Sequence, residues 1–248
     1  KIGLGIMGWA DLLFQLLIPY DSPEALELAE SIMKTVRDTA VETSIELGKE
    51  KGIPKDLEHL GRRNATLTCI APTGTIALLA DCSSGIEPLF ALEHTRVRTQ
   101  FDGSKVVMKQ ANRYYAEALK NELPSSTIRS VFVTSPEVAP LAHVRAQGAF
   151  QKYTDLAVSK TINLPHECTV KDVLDSYKLA WKQGCKGITI YRDGSKSVQV
   201  LYRKEDEKAA APAEGNSTEK SDSSCEPVTV PAKGVQKPLK LLLKRKDH

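Results

Sequence analysis

Two short turns in one stretch carry the chemistry this sequence can do. Between Asn64 and Phe90 the chain reads NATLTCIAPTGTIALLADCSSGIEPLF, with Pro72-Thr73-Gly74-Thr75 and Ser83-Ser84-Gly85 on either side of the apolar run Ile76-Ala77-Leu78-Leu79-Ala80. Thr and Ser hydroxyls beside backbone N–H groups suit the oxygens of a phosphate, above all at a helix N-terminus, where the dipole favours an anion. Glycine lets the backbone come close to the anion, where a side chain would stand in the way. The first turn, Pro72 to Ile76, is the candidate phosphate-binding loop. The second, Ser83 to Gly85, reads more readily as a structural turn, because Ser and Gly favour turns for local reasons. Glu87-Pro88 helps to set it. The chain is thereby expected to handle a phosphorylated small molecule.

Other reactive side chains carry less. The five cysteines are Cys69, Cys82, Cys168, Cys185 and Cys225. None is paired at metal-ligand spacing and there is no CxxC, so they read as reduced thiols, as expected in a cytoplasmic protein. His94 and His143 are isolated in sequence, with no Asp, Glu or Cys at ligand spacing. Tyr114-Tyr115 reads as packing. Tyr191, Arg192 and Asp193 stand at the end of an expected strand, where α/β folds often place functional groups and equally often a plain turn.

The elements that must position these residues are legible in outline. Ile2 to Ile18 is apolar with glycines at 3, 5 and 8, and reads as a buried helix with a glycine-rich entry, too short for a membrane span. Ser22-Pro23-Glu24 starts a helix through a capping hydroxyl and a proline at the first helical position. Apolar residues from Ala25 to Leu47 keep helical spacing, with Gly48 or Gly52 as the stop. A charged connector, Asp56 to Arg63, leads to a short strand over Leu67 to Ala71. Further on, Lys105 to Leu119 reads as a helix, Ser130 to Thr134 as a strand, Pro136 to Tyr153 as a helix and Thr161 to Leu164 as a strand. Thr169 caps an amphipathic helix with Val170, Val173, Leu174, Tyr177, Ala180 and Trp181 on one face, stopped by Gly184. Lys186 to Tyr191 is a strand that ends in the turn Arg192-Asp193-Gly194-Ser195. A strand, helix and strand at this spacing make a βαβ unit with parallel strands.

Composition bounds the rest. The 248 residues are 41% hydrophobic, enough for a core, and 26% charged. A net charge of +3 is too small to argue for nucleic-acid binding. Two regions are expected: residues 1–203, folded, and 204–248, a charged tail. In the tail, Glu205 to Pro231 holds only Val228 and Val230 as aliphatic side chains larger than Ala, too few to offset chain entropy, so it is expected to be disordered. The last stretch is basic, with LKLLLKRK at Leu239 to Lys246.

Four blocks together resemble the large catalytic subunit of ribonucleotide reductases, most closely the adenosylcobalamin-dependent class II type. They are IGLGIMGWADLLFQLLIPY (Ile2 to Tyr20), the stretch from Arg63 to Phe90, VSKTINLP (Val158 to Pro165) and AWKQGCKGITIYRDGS (Ala180 to Ser195). They fall in the family's order and cover about residues 1 to 201. The resemblance implies an α/β fold, here the C-terminal part of the reductase α/β barrel, followed by the tail. It implies that Pro72, Thr73, Gly74, Thr75 and Ile76 hold substrate phosphates. Ala77 departs from the family, whose members often have Ser there, and so removes one hydroxyl donor.

Further implications concern what the chain works with. The family's radical cysteine lies in an N-x-C-x-E pattern that this sequence lacks, and its redox cysteine pair is expected upstream as well. The implied reaction replaces the ribose 2′-hydroxyl by hydrogen, with adenosylcobalamin as cofactor and a ribonucleoside di- or triphosphate as substrate. The implied partners are the missing N-terminal part of the same enzyme and a thioredoxin- or glutaredoxin-type reductant, with room for a homodimer. No membrane and no direct nucleic-acid contact are expected. Two other readings stay open: a split or degenerate nucleotide-binding or assembly module with no catalysis of its own, and a stand-alone phosphate-binding domain, which would leave three of the four blocks unexplained.

Overall fold

The computed structural model describes residues 1–99 and 105–195. The expected disordered tail and Cys225 lie outside the described residues.

The first segment departs from expectation. Only Trp9–Leu16 (α1) is helical, while the residues before it are extended and bond to the chain around Thr66 to Cys69. Ile2 N–H reaches Thr66 O at 3.0 Å, Leu4 N–H reaches Leu67 O at 2.7 Å, and Cys69 N–H returns to Leu4 O at 2.8 Å. Glycine explains the change. A Cβ on Gly5 would sit 2.1 Å from the Cys69 carbonyl oxygen, so only a bare backbone can approach this closely. Trp9, Leu13 and Phe14 then turn the amphipathic face of α1 inward, all below 5% exposed.

Helix α2 (Pro23–Lys51) begins as expected, with the Ser22 side chain accepting from Ala25 N–H and proline in the first turn. It runs through buried Gly48 and ends at Gly52, whose φ of 78° suits glycine. The charged connector is a 3₁₀ helix, Lys55–Leu60. The strand expected over Leu67 to Ala71 is reduced to isolated parallel bridges, Leu4 with Thr68 on one side and Val158 with Ile70 on the other. Next come α3 (Gly74–Ala80) and an antiparallel hairpin, β1 (Glu93–Thr99) with β2 (Lys105–Ala111), in register from Glu93↔Ala111 to Thr99↔Lys105.

The helix expected over Lys105 to Leu119 is therefore half strand. Asn112 divides it: its side-chain oxygen accepts from Tyr114 and Tyr115 N–H, which starts α4 (Arg113–Lys120) afresh. Ser130 to Thr134 is not a strand either. Helix α5 (Ser125–Val131) covers its start, and Thr134 alone bridges, in parallel, to Leu89. The following helix, α6 (Pro140–Gln151), starts four residues later than expected because Pro140 supplies its first position.

The expected βαβ unit is present: β3 (Thr161–Leu164), α7 (Val170–Lys182) and β4 (Thr189–Arg192), with Ile162 paired to Ile190 in a parallel register, β4 starting three residues later than read and taking in Arg192. Thr169 and Asp172 form a capping box at the start of α7. The face α7 buries matches the expected one only in part: Ala180 is buried and Val173 packs against the core, but the other four residues of that face are exposed. Ser176 and Ala180 face inward, while Val170 and Trp181 are over 80% exposed and Leu174 and Tyr177 about half exposed. The small-residue stripe wins because α7 lies close against α6. A Cβ on Gly148 of α6 would already collide with the Gln183 side chain.

Parallel pairing thus steps from residues 2–4 to 66–70 to 158 and on through β3 to β4, with α2, α6 and α7 as the helical layer. This is part of an α/β barrel wall. Its core joins Trp9, Leu13, Met33, Ile70, Ile86, Phe150 and Val158. Trp9 meets Phe150 edge-on at 5.0 Å. Among the described residues, no helix is long and apolar enough to cross a membrane.

Candidate functional site

Thr73 is the N-cap of α3 and sits at φ 52°, ψ 16°, in the left-handed region. For a β-branched residue that conformation costs roughly 1–3 kcal/mol and persists only where neighbours enforce it. The second turn is that neighbour. Gly85 N–H donates to Thr73 Oγ1 at 2.7 Å, and the Thr73 and Ser84 hydroxyls lie 3.3 Å apart. Ser84 donates its own proton to the Pro72 carbonyl, so Thr73 donates to Ser84. Gly85 is at φ 49°, and a Cβ there would press to 3.3 Å from the Ala71 carbonyl oxygen. The two turns are stitched together, and the Thr73 hydroxyl is engaged in the stitch.

The face left open is made of backbone. The first intrahelical bond of α3 runs from Ala77 N–H to Thr73 O at 2.9 Å, so the N–H groups of Gly74, Thr75 and Ile76 precede the helical ladder. The left-handed residue followed by a right-handed turn aims successive N–H groups to one side, the geometry of an anion nest. Thr75 is exposed beside them, and the first turn of α3 holds no acid to repel an anion. A Cβ added to Gly74 would meet nothing within 4 Å. Space for a ligand therefore lies above the turn.

The second turn serves α1 instead. Gly8 N–H donates to Ser83 O at 2.8 Å and Trp9 N–H to Gly85 O at 3.3 Å, which satisfies donors at the α1 N-terminus. Asp11, 4% exposed, accepts Ser83 N–H at 2.6 Å and the Asn112 side-chain amide at 3.0 Å. Ser83, Ser84 and Gly85 are thus all engaged within the protein.

Behind this turn lies a group of side chains that sequence spacing did not reveal. Lys160, fully buried, donates from Nζ to Glu87 Oε2 at 2.5 Å, to Thr161 O at 2.6 Å and to His143 Nδ1 at 2.8 Å. Glu87 Oε1 accepts Thr161 N–H at 2.6 Å. His143 Nε2 lies 3.0 Å from Ser135 O, so Nε2 carries the hydrogen and Nδ1 accepts from lysine. Burial and the Lys160 charge together push the His143 pKa down to about 3, so the ring is neutral. Burial also lowers the Lys160 pKa, against the pull of Glu87. His143 looked isolated because its side-chain partner, Lys160, lies 17 residues away in sequence and its other partner is a backbone carbonyl. The one available signal was a lysine set inside the apolar block VSKTINLP.

The remaining candidates fall into structural places. Cys69, Cys82, Cys168 and Cys185 are unpaired thiols. Burial raises the pKa values of Cys82, Cys168 and Cys185, which keeps them protonated and weakly nucleophilic at neutral pH. Tyr115 packs on Phe132 at 5.6 Å, and Arg113 stacks over Tyr114 at 4.7 Å. Arg192 ties β4 back through its guanidinium to the Cys168 and His166 carbonyls. His94 falls on β1. Among the described residues, no group of three His, Cys, Asp or Glu could hold a metal ion.

Comparison with known proteins places this fold in a family. The chain belongs to the ribonucleotide reductase barrel-domain family, whose profile matches residues 1–57 and 53–191. Among curated relatives, it is 41% identical to the vitamin B12-dependent ribonucleoside-diphosphate reductase of Thermoplasma acidophilum, over 81% of this chain and 29% of that protein. It is 40% identical to the enzyme of the same name from Mycobacterium tuberculosis, over 81% of this chain and 32% of that one. A solved structure, the class Id ribonucleotide reductase alpha subunit of Actinobacillus ureae, superposes with a TM-score of 0.64 at 26% identity, covering 77% of this chain and 39% of that chain. The chain spans about a third of the length of the curated relatives it matches.

Proposed function

We propose that this chain is the C-terminal part of the catalytic barrel of an adenosylcobalamin-dependent ribonucleoside-diphosphate reductase, and that Pro72 to Ile76 hold the substrate phosphates. The observation that carries the reading is the open set of N–H groups at Gly74, Thr75 and Ile76 behind a strained Thr73, in a chain of this family. Backbone donors fixed in advance suit an anion because they need no reorganisation when it binds. Their task is to fix the ribose, since misplacement by about 1 Å can cost ~100-fold in rate.

The bound cofactor supplies the radical that starts the reaction. What these residues do is bind and orient. The hydroxyl of Thr75 and the three amides grip the terminal phosphate oxygens, Gly74 keeps the approach clear, and Thr73 holds the turn in shape. The radical and redox cysteines, the reductant of the thioredoxin or glutaredoxin kind, a homodimeric assembly and a cytoplasmic location belong to the same proposal.

The test is made in the complete reductase carrying this segment. Cobalamin-dependent reduction of a ribonucleoside diphosphate is expected, and Thr75→Ala should raise KM by about 10-fold or more, the loss of one hydrogen bond to a charged group worth at least about 1.5 kcal/mol. An unchanged KM would refute the phosphate assignment, and no reduction by the intact wild-type protein would refute the enzyme.

A further inference from the structure

Lys160 and His143 are buried and Glu87 partly so, its side chain 27% exposed, and the three are joined to the candidate phosphate turn by a short covalent and hydrogen-bonded path. Glu87 is clamped at both carboxylate oxygens, by Lys160 Nζ at 2.5 Å and by Thr161 N–H at 2.6 Å. Its own N–H donates to Ser84 O at 3.0 Å. The residue before it, Ile86, is fully buried and its carbonyl accepts the Tyr20 hydroxyl at 2.7 Å. One residue earlier, Gly85 N–H donates to Thr73 Oγ1 at 2.7 Å. Thr73 is the residue whose left-handed backbone aims the three open amides.

All three ammonium protons of Lys160 are used inside the protein: one on a carboxylate, one on a carbonyl and one on a neutral imidazole. Burying such a charge is expensive, and a well-packed apolar pair is often as stable or more so. Stability alone is therefore a poor reason for an ion pair here. A fixed position is a better one, because three directional bonds leave lysine one arrangement and hold the start of β3 and the second turn in one register.

We infer that Glu87 and Lys160, with His143 as the lysine's third acceptor, are positioning residues for the phosphate loop, acting through Ser84, Gly85 and the Thr73 hydroxyl. The inference rests on the phosphate reading of Gly74 to Ile76 and adds to it the device that sets their aim. Neither residue touches the substrate. Thr73 works the same way, through its link to the second turn rather than by donating to phosphate.

The experiment is a double-mutant cycle in the complete reductase, reading KM for a ribonucleoside diphosphate apart from kcat. Glu87→Gln and Thr73→Val are each expected to raise KM by about 5- to 20-fold, and the double variant by much less than the product, because both cut one path. Thr73→Ser, which keeps the hydroxyl, should restore most of the loss. A core variant of similar destabilisation that lies off the path, Met33→Leu, should leave KM alone. If Glu87→Gln does not fold, the apolar pair Glu87→Met with Lys160→Met replaces it, with retained folding and a raised KM expected. Multiplicative effects, or a folded variant with unchanged KM, would overturn the inference. Thr75→Ala separates the two readings: if it raises KM while Glu87→Gln does not, the positioning role alone fails. If Thr75→Ala has no effect either, the phosphate site fails first.

Discussion

Gly74→Ala separates binding from folding more cleanly than any other single change. Its φ is not in the left-handed range, it is the first residue of α3, and an added Cβ would meet no atom within 4 Å. The protein itself therefore has no steric use for glycine here. Alanine at a compatible helical position stabilises by about 0.4–1 kcal/mol, chiefly by restricting the unfolded chain. The methyl group would nevertheless stand where an anion must approach the amides. Weakening one charge-assisted hydrogen bond, about 1.5–3 kcal/mol, corresponds to roughly 10- to 100-fold in kcat/KM. The assay pairs steady-state reduction of a ribonucleoside diphosphate with denaturant unfolding of the same complete enzyme. The expected result is stability equal to or above the parent with activity down by that factor. Full activity would mean that no phosphate lies over Gly74. A marked loss of stability would mean that the space is not open.

Other perturbations test the frame around the site. Acidification should weaken the fold through His143: its folded pKa of about 3 lies below the ordinary value of 6.5, so the unfolded state takes up the proton first and stability falls as pH drops from about 6.5 towards 3, by up to about 1.4 kcal/mol per pH unit. Comparing the stability–pH slope with that of His143→Asn checks this, and equal slopes would refute it. Gly5→Ala should open the Leu4–Thr68 bridge, since its Cβ would stand 2.1 Å from a carbonyl oxygen, and normal soluble yield and melting would contradict that. Phe150→Ala should cost about 3–5 kcal/mol by denaturant unfolding, because the ring is fully buried against Trp9. Lys152→Ala should change stability by less than about 1 kcal/mol, because its ion pair with Glu30 is solvent-exposed.

Local signals in the sequence were sufficient where structure is made locally. Ser22-Pro23 and Thr169 marked helix starts through capping, and the βαβ unit followed from its spacing. They were insufficient where a distant partner decides the outcome. Ile2 to Leu4 has helical-looking apolar content but is held extended by residues 66–69. Lys105 to Ala111 is drawn into a hairpin by β1. Helix α7 offers two apolar stripes, and only the nearness of α6 selects the smaller. The same limit applied at the site. The candidate turn Pro72 to Ile76 could be singled out because its residues are contiguous, whereas the Lys160–Glu87–His143 contacts join residues as far as 73 apart. The stitch through Thr73 Oγ1 was equally hidden, since either a ligand or a neighbouring turn can occupy a hydroxyl.

The order in which the parallel pairings can form also has a consequence for synthesis. The segment at Ile2 pairs with residues 64 positions later, and Cys69 then meets a partner 88 positions beyond it. Contacts so far apart give no return until long loops have closed, so such topologies fold slowly. At roughly 5–20 residues per second, a ribosome would leave Ile2 to Leu4 without its neighbour for several seconds, and Leu67 to Ile70 with one edge bare for several more. The polypeptide thus passes through a period in which apolar edges with unmet backbone groups face solvent or a chaperone. How well a cell shields that interval would set the yield of this protein as much as the depth of its finished core.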